Sequence, residues 1–221
     1  MVEIMTKNDF AYAELRRMVL TGELPAGEVI PQAKTAEQLG VSTTPLREAI
    51  KRLVAEGVVE VAAHRDARVA ALSGAEALHL YEVREALDPM AASLAAQRRT
   101  AGDLQEIERN LRRLKPIRAS SDIAGMLAHR DFHRAVYASS HNPILVASLD
   151  QLWDKADRYR SLALREAPPA RADQARIARE HADLYDAVRG GDEKAAAAVM
   201  LAHIRGSHGR RAVAALGAGA P

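Results

Sequence analysis

Apolar residues recur at three- and four-residue intervals along most of the chain, and the interruptions in that period mark its elements. Tyr12, Leu15 and Val19 predict a first helix over about 8–20, with Gly22 as its stop. Leu24-Pro25-Ala26-Gly27 is a turn by composition, since proline presets one backbone angle and glycine accepts the left-handed one. A short helix is expected over 35–39. Gly40-Val41 breaks it, and Ser42 is placed to cap a third helix running through Leu46, Ile50, Leu53 and Val54 to Gly57. From Val58 to Val69 the pattern changes to β-branched residues flanking a polar tip, Ala63-His64-Arg65-Asp66, which predicts a short hairpin.

Beyond a hinge at Ser73-Gly74 every long segment has the helical period: 75–99, 102–115, 121–140, 143–166, 171–189 and 192–212. Pro116, Asn142-Pro143, Pro168-Pro169 and Gly190-Gly191 punctuate them, and such short connections favour antiparallel neighbours in a bundle. The expected fold is mostly α, with two domains: a winged helix-turn-helix over 1–72 and an antiparallel all-α helical bundle over 75–212. The tail 217–221, rich in Gly and Ala, reads as disordered.

Composition agrees, with 48% hydrophobic residues but only 4% aromatic ones in 221 residues, and many Ala, Leu, Arg and Glu. The absence of cysteine removes disulfides and thiolate metal ligation, so any metal must use His or carboxylates. The N-terminus has no apolar signal core and no stretch has the roughly 20 apolar residues of a membrane span, so the expected location is cytoplasmic, with no membrane partner. A net charge of +2 does not by itself indicate nucleic acid, and residues 1–72 carry nine Lys/Arg against ten Asp/Glu. Local placement does point that way. Within 42–68 the basic residues are Arg47, Lys51, Arg52, Arg65 and Arg68.

Two helices crossing steeply need a small residue at their contact, a tight turn and apolar residues beneath; Ala36, Gly40, Val41 and Leu46 supply them. On the helix that Ser42 begins, Leu46, Ile50 and Leu53 share the core face, while Thr44, Arg47 and Lys51 line a face that can enter a major groove. Arginine's planar fork suits guanine edges or phosphate, Lys51 and Arg52 can hold the backbone, and the helix start with Ser42 and Thr43 can donate to phosphate. In isolation these charges would read as a solvated helix face. The order helix, helix, hairpin favours DNA.

The run Leu24-Pro25-Ala26-Gly27, then Leu39 through Ile50 with Val41-Ser42-Thr43-Thr44-Pro45-Leu46-Arg47-Glu48, and Leu53-Val54-Ala55-Glu56-Gly57, resembles the GntR family of bacterial regulators. The resemblance implies that the helix from Ser42 reads the major groove and that a wing near Arg65 approaches the minor groove. Thr43 and Asp66 depart from the arginine and glycine common there, so the operator sequence of relatives does not transfer.

The second half resembles the FCD effector domain of the FadR-like branch, through Tyr81-Glu82-Val83-Arg84 with Leu87-Asp88, Phe132-His133, Asn142-Pro143, Glu180-His181, Gly191-Asp192, and Met200 with His203. That resemblance implies a divalent metal, zinc first and nickel or another transition metal second, at the matching positions His129, His133, His181 and His203. His129 stands where the family usually has Asp or Asn. The replacement is chemically coherent, because residues four apart share a helix face and two imidazoles can meet one ion. Asp131 cannot substitute, lying roughly 200° around the helix from His133. His79, His141 and His208 fall outside the pattern and read as structural or exposed.

Arg84 borders the apolar stripe Leu80, Val83, Leu87 and Ala91, which suggests either an ion pair with Asp88 or a bound anion. The family's effectors are commonly small organic acids, so a small carboxylic acid held between the metal and Arg84 is the expected effector. Pro89 predicts a kink in the same helix.

The sequence therefore reads as a sequence-specific transcription regulator and not an enzyme, binding duplex operator DNA as a homodimer because one short recognition helix reads few base pairs. The rival reading is a metal-dependent hydrolase built on His129, His133, His181 and His203, since two histidines four apart occur in helical zinc hydrolases. Such a site wants glutamate directly after the first histidine, where this chain has Arg130.

Overall fold

The computed structural model describes residues 6–61 and 66–217. The chain divides into two units, Met1–Leu72 and Ser73–Pro221.

In the first unit α1 (Lys7–Thr21) starts where the Thr6 hydroxyl accepts from the Asp9 amide, and it stops at Gly22, whose φ of 81° lets its amide return to the Val19 carbonyl. The short α2 (Gln32–Gln38) begins earlier than the period predicts, because Pro31, with φ fixed at −75°, leads directly into it. Gly40 at φ 64° then makes the tight turn, its amide bonded to the Glu37 carbonyl at 3.0 Å and that of Val41 to Ala36 at 3.0 Å. In α3 (Thr43–Ala55) Pro45 lies in the first turn, where no intrahelical bond is lost. Ser42 holds the N-cap position of α3, but its hydroxyl makes no capping hydrogen bond, which corrects the capping role read from sequence.

Ala11, Leu15, Met18 and Val19 of α1 pack with Leu46, Ala49, Ile50 and Leu53 of α3 in one core, with Ala36 where α2 meets it. Strands β1 (Val59–Val61) and β2 (Ala67–Val69) pair antiparallel with Val59 opposite Val69, burying both, while Glu60 faces Arg68 on the outer side. Val29 bridges Arg68 on the other edge of β2, and the Ile30 amide donates to the Ala67 carbonyl at 2.8 Å. The segment after the Leu24–Gly27 turn thus joins the hairpin, a pairing the hydrophobic pattern does not announce. Residues 62–65 of the hairpin tip, Arg65 among them, lie outside the described residues, as do 218–221 of the tail.

The second unit is helical throughout its described residues. Its helices are α4 (Gly74–Arg98), α5 (Ala101–Arg113), α6 (Ile123–Ala138), α7 (Pro143–Glu166), α8 (Arg171–Gly190), α9 (Glu193–Arg205) and α10 (His208–Ala215). Most of their starts are fixed by side chains: Ser73 caps α4, Thr100 and Asp103 form a capping box on α5, and Asp122, Asn142 and Asp192 cap α6, α7 and α9, whereas α8 starts at Ala170 without a side-chain cap. Helix α4 is the spine, packed against α6, α7, α8, α9 and α10. Ala91, Ala92, Ala95 and Ala96 are fully buried on it, small enough to let neighbours approach closely.

The single last helix expected over 192–212 is two helices. Gly206 ends α9, the Arg176 guanidinium takes the Gly206 carbonyl at 2.9 Å, and the Ser207 hydroxyl accepts from the Arg210 amide at 3.2 Å to start α10. The break turns α10 onto α7 and α4. Pro89 lies inside α4, which runs through it as one helix.

Candidate functional site

Two constellations carry chemistry. On α3 the burial of Leu46, Ile50 and Leu53 forces the opposite face outward, so Ser42, Thr43, Thr44, Arg47 and Lys51 are all exposed. Arg47 has no ion pair among the described residues, and Lys51 reaches only Glu48 on its own helix, at 2.8 Å. Arg52 is differently placed. Its guanidinium lies 3.7 Å from the centre of the Tyr12 ring, with Asp9 at 3.7 Å and Glu56 at 3.6 Å, so it clamps α3 to α1. Arg68 donates to the Gly27 carbonyl and steadies the hairpin edge.

In the helical unit α6 contributes His129 and His133, four residues apart on its buried face, α8 contributes His181 and α9 contributes His203. All four are buried, and each offers a ligand atom within 4.8 Å of the others. His133 is fully buried and neither of its ring nitrogens has a hydrogen-bond partner; the Nε2 of His181 is likewise unpartnered. Buried polar nitrogens without partners are costly, so a cluster of them suits an ion that accepts their lone pairs. His203 gives its Nδ1 to Glu180 at 2.8 Å, the carboxylate–imidazole arrangement that orients a metal ligand. His129 Nδ1 meets the Arg160 guanidinium at 2.5 Å.

Burial first, and then neighbouring positive charges that include Arg160, hold His129, His133 and His181 well below the usual imidazole range. His203 is lowered by burial against the opposing pull of Glu180. The imidazoles are therefore neutral at neutral pH, the state a metal requires. As a donor set, four imidazole nitrogens fit a first-row transition metal such as zinc and would not suit calcium or magnesium.

A cavity of about 100 Å³ opens onto this cluster. His129, His181, His203 and Arg160 line its polar end, and Leu114, Pro116, Ile117, Leu164 and Ile177 its apolar wall. His208, read from sequence as outside the ligand set, also lines it, with a buried and unpartnered Nε2 and a pKa lowered by burial to about 4. Arg84 does not line it. Fully buried, it pairs with Asp88 at 2.7 Å, stacks 4.6 Å from the centre of the Trp153 ring and keeps one nitrogen, Nη1, unpartnered, while Asp88 also accepts from Tyr137 at 2.7 Å.

The buried cation at the cavity, Arg160, was not singled out by the sequence reading; Lys115, exposed, is the other cation in the lining. A signal existed: Leu149, Trp153, Ala156, Ala163 and Leu164 form the core stripe of α7, and Arg160 falls within its period. The inference applied to Arg84 applies equally there.

A winged helix-turn-helix joined in one chain to a helical bundle is the architecture of a transcription regulator. Residues 7–69 match the bacterial regulatory proteins of the gntR family and residues 79–206 match the FCD domain. The chain belongs to the GntR family, in its FCD-bearing group. The regulator McbR of Escherichia coli strain K12 is 32% identical over 141 residues, 63% of this chain and 64% of McbR. LutR of Bacillus subtilis strain 168 is 31% identical over 209 residues, 85% of this chain and 93% of LutR. The solved structure of E. coli McbR/YncC superposes with a TM-score of 0.75 at 26% identity, covering 96% of this chain and 98% of that one.

These relatives are transcription regulators, not enzymes, and the hydrolase reading is withdrawn. The geometry agrees, since Arg130, in the position of the required base, is bound to Asp154 at 2.5 Å. No helix among the described residues is long and apolar enough to cross a membrane.

Proposed function

We propose that this GntR-family regulator binds a specific duplex operator as a homodimer, through Ser42, Thr43, Thr44, Arg47 and Lys51 of each copy, with Arg65 on the wing. It acts in the cytoplasm, on the DNA there. A divalent metal, zinc by preference, is held by His133, His181 and His203 with His129 as fourth ligand, and a small carboxylic acid bound in the adjoining cavity shifts operator affinity. Bound there, the ion would act as a Lewis acid that attracts the acid's carboxylate. Glu180 orients His203, and the apolar wall excludes water from the acid.

The observation that carries this reading is His133: fully buried, with both ring nitrogens unpartnered, among three other imidazoles. A metal that binds only the folded state stabilises it by mass action, by about 2.7 kcal/mol at a free concentration of 100 Kd. His133→Ala is expected to lower metal content and melting temperature together, measured by elemental analysis and thermal melts with and without chelator. Metal-free protein whose melting ignores chelator would exclude the metal. Acids that bind free protein and operator complex equally would exclude effector control, since coupling is reciprocal.

A further inference from the structure

The fourth ligand is not ready. An arginine donates hydrogen bonds and never accepts them, so the 2.5 Å contact between Arg160 and His129 Nδ1 uses the lone pair of that nitrogen. A neutral imidazole then carries its proton on Nε2. With one nitrogen occupied and the other protonated, His129 has no free lone pair, whichever edge faces an ion. Arg160 adds a second obstacle, because its buried positive charge stands beside the place where a dication would sit.

Both obstacles yield to an anion. The same guanidinium lines the cavity, where a carboxylate can take its donors in a bidentate pair, stronger than a bond to a neutral ring. Leu114, Pro116, Ile117, Leu164 and Ile177 offer an apolar stretch of wall for the body of such an acid, while Lys115, Gln174, Ser207 and His208 complete the lining.

We propose that Arg160 is the anion anchor of this protein and a latch on His129: a carboxylate with an apolar body draws Arg160 off the ring and completes the four-histidine metal site. Acid and metal therefore bind with positive coupling. The inference rests on the metal-and-acid reading above and moves the acid's anchor from Arg84 to Arg160, in keeping with Arg84's pairing to Asp88. His129 is what creates the latch. An aspartate at that position would pair with Arg160 and still keep an oxygen for the ion, so no release would be needed.

The test uses the full chain, stripped of metal, titrated with zinc by calorimetry in the absence and presence of saturating benzoate, and of benzamide as the uncharged comparison. Benzoate is expected to tighten zinc binding about 5- to 150-fold, the usual span of coupling between two sites. Benzamide, which has no charge to pair with Arg160, should do much less. In Arg160→Met, zinc should bind more tightly than in the parent without any acid, and benzoate should add nothing. A benzoate gain that persists in Arg160→Met, or a variant no tighter than the parent, overturns the latch. Benzamide matching benzoate overturns the anion anchor. Should Arg160→Met fail to fold, nitrogen NMR of histidine-labelled parent decides: His129 protonated on Nε2 without benzoate supports the latch, and on Nδ1 refutes it. A parent that takes up no zinc fails the metal reading as a whole, whereas one that takes zinc without dependence on Arg160 fails only this inference.

Discussion

Arg47 is the exposed cation on α3 with no ion partner among the described residues, while Lys51 shares its charge with Glu48 and Arg52 is held over Tyr12. Three basic residues of one helix thus have three different surroundings. Arg47→Ala is expected to abolish the specific operator shift at moderate salt and leave the melting temperature unchanged, because it removes a groove contact worth about 1–3 kcal/mol of base discrimination and no packing. Arg52→Ala should instead lower the melting temperature, by loosening α1 from α3. A gel-shift titration against a selected operator, run beside thermal melts, separates the two. An Arg47→Ala protein that shifts the operator as the parent does would remove α3 from the groove.

Helix α7 shows how one element serves two places. Its Trp153 and Arg160 face the histidine cluster and cavity, while the hydroxyl of Tyr159 donates to Glu76 at 2.7 Å and meets the Ser73 amide at 3.4 Å, at the start of α4. Lys155 adds an ion pair to Glu76 at 2.7 Å. Tyr159→Phe is expected to destabilise the helical unit by about 1 kcal/mol, the usual net value of one such bond, read from a denaturant midpoint. No change in midpoint would mean the clasp contributes nothing. Helix positions in this unit were legible from sequence because each carries a long periodic stripe and most carry a capping side chain at the start. The Gly206 break was missed because the apolar period continues across it, although the Gly-Ser pair was a readable stop and start. The pairing of 27–30 with β2 was missed for another reason: backbone bonds there, such as Gly27 amide to Val69 carbonyl at 2.9 Å, leave no side-chain pattern. The four histidines were legible through family resemblance and the four-residue spacing on α6. Arg160 needed three-dimensional contact to be noticed.

For the whole molecule, α4 leaves Val83 and Met90 about half exposed, 46% and 49%, with half-buried Leu87 and Leu94 on the same stripe. A second copy of the chain is the cover for this face that the proposed homodimer calls for. Met90→Glu is expected to yield monomers in analytical ultracentrifugation and to weaken operator binding without touching α3. A parent that sediments as a monomer at micromolar concentration would exclude the dimer.

The four enclosed imidazoles also set how the protein meets acid. Unfolding releases them into water, where each takes up a proton near pH 6.5, whereas inside the bundle burial keeps them neutral to lower pH. Below about pH 6.5 the unfolded chain therefore binds more protons than the folded one, and stability falls as pH falls. The contribution is intact above that value and is lost progressively toward the depressed folded-state values. Metal-free protein should accordingly melt at a lower temperature at pH 5.5 than at pH 7.5, with proton uptake on unfolding visible as a buffer-dependent calorimetric enthalpy. His133→Ala should flatten that slope, since one of the proton acceptors exposed by unfolding is gone.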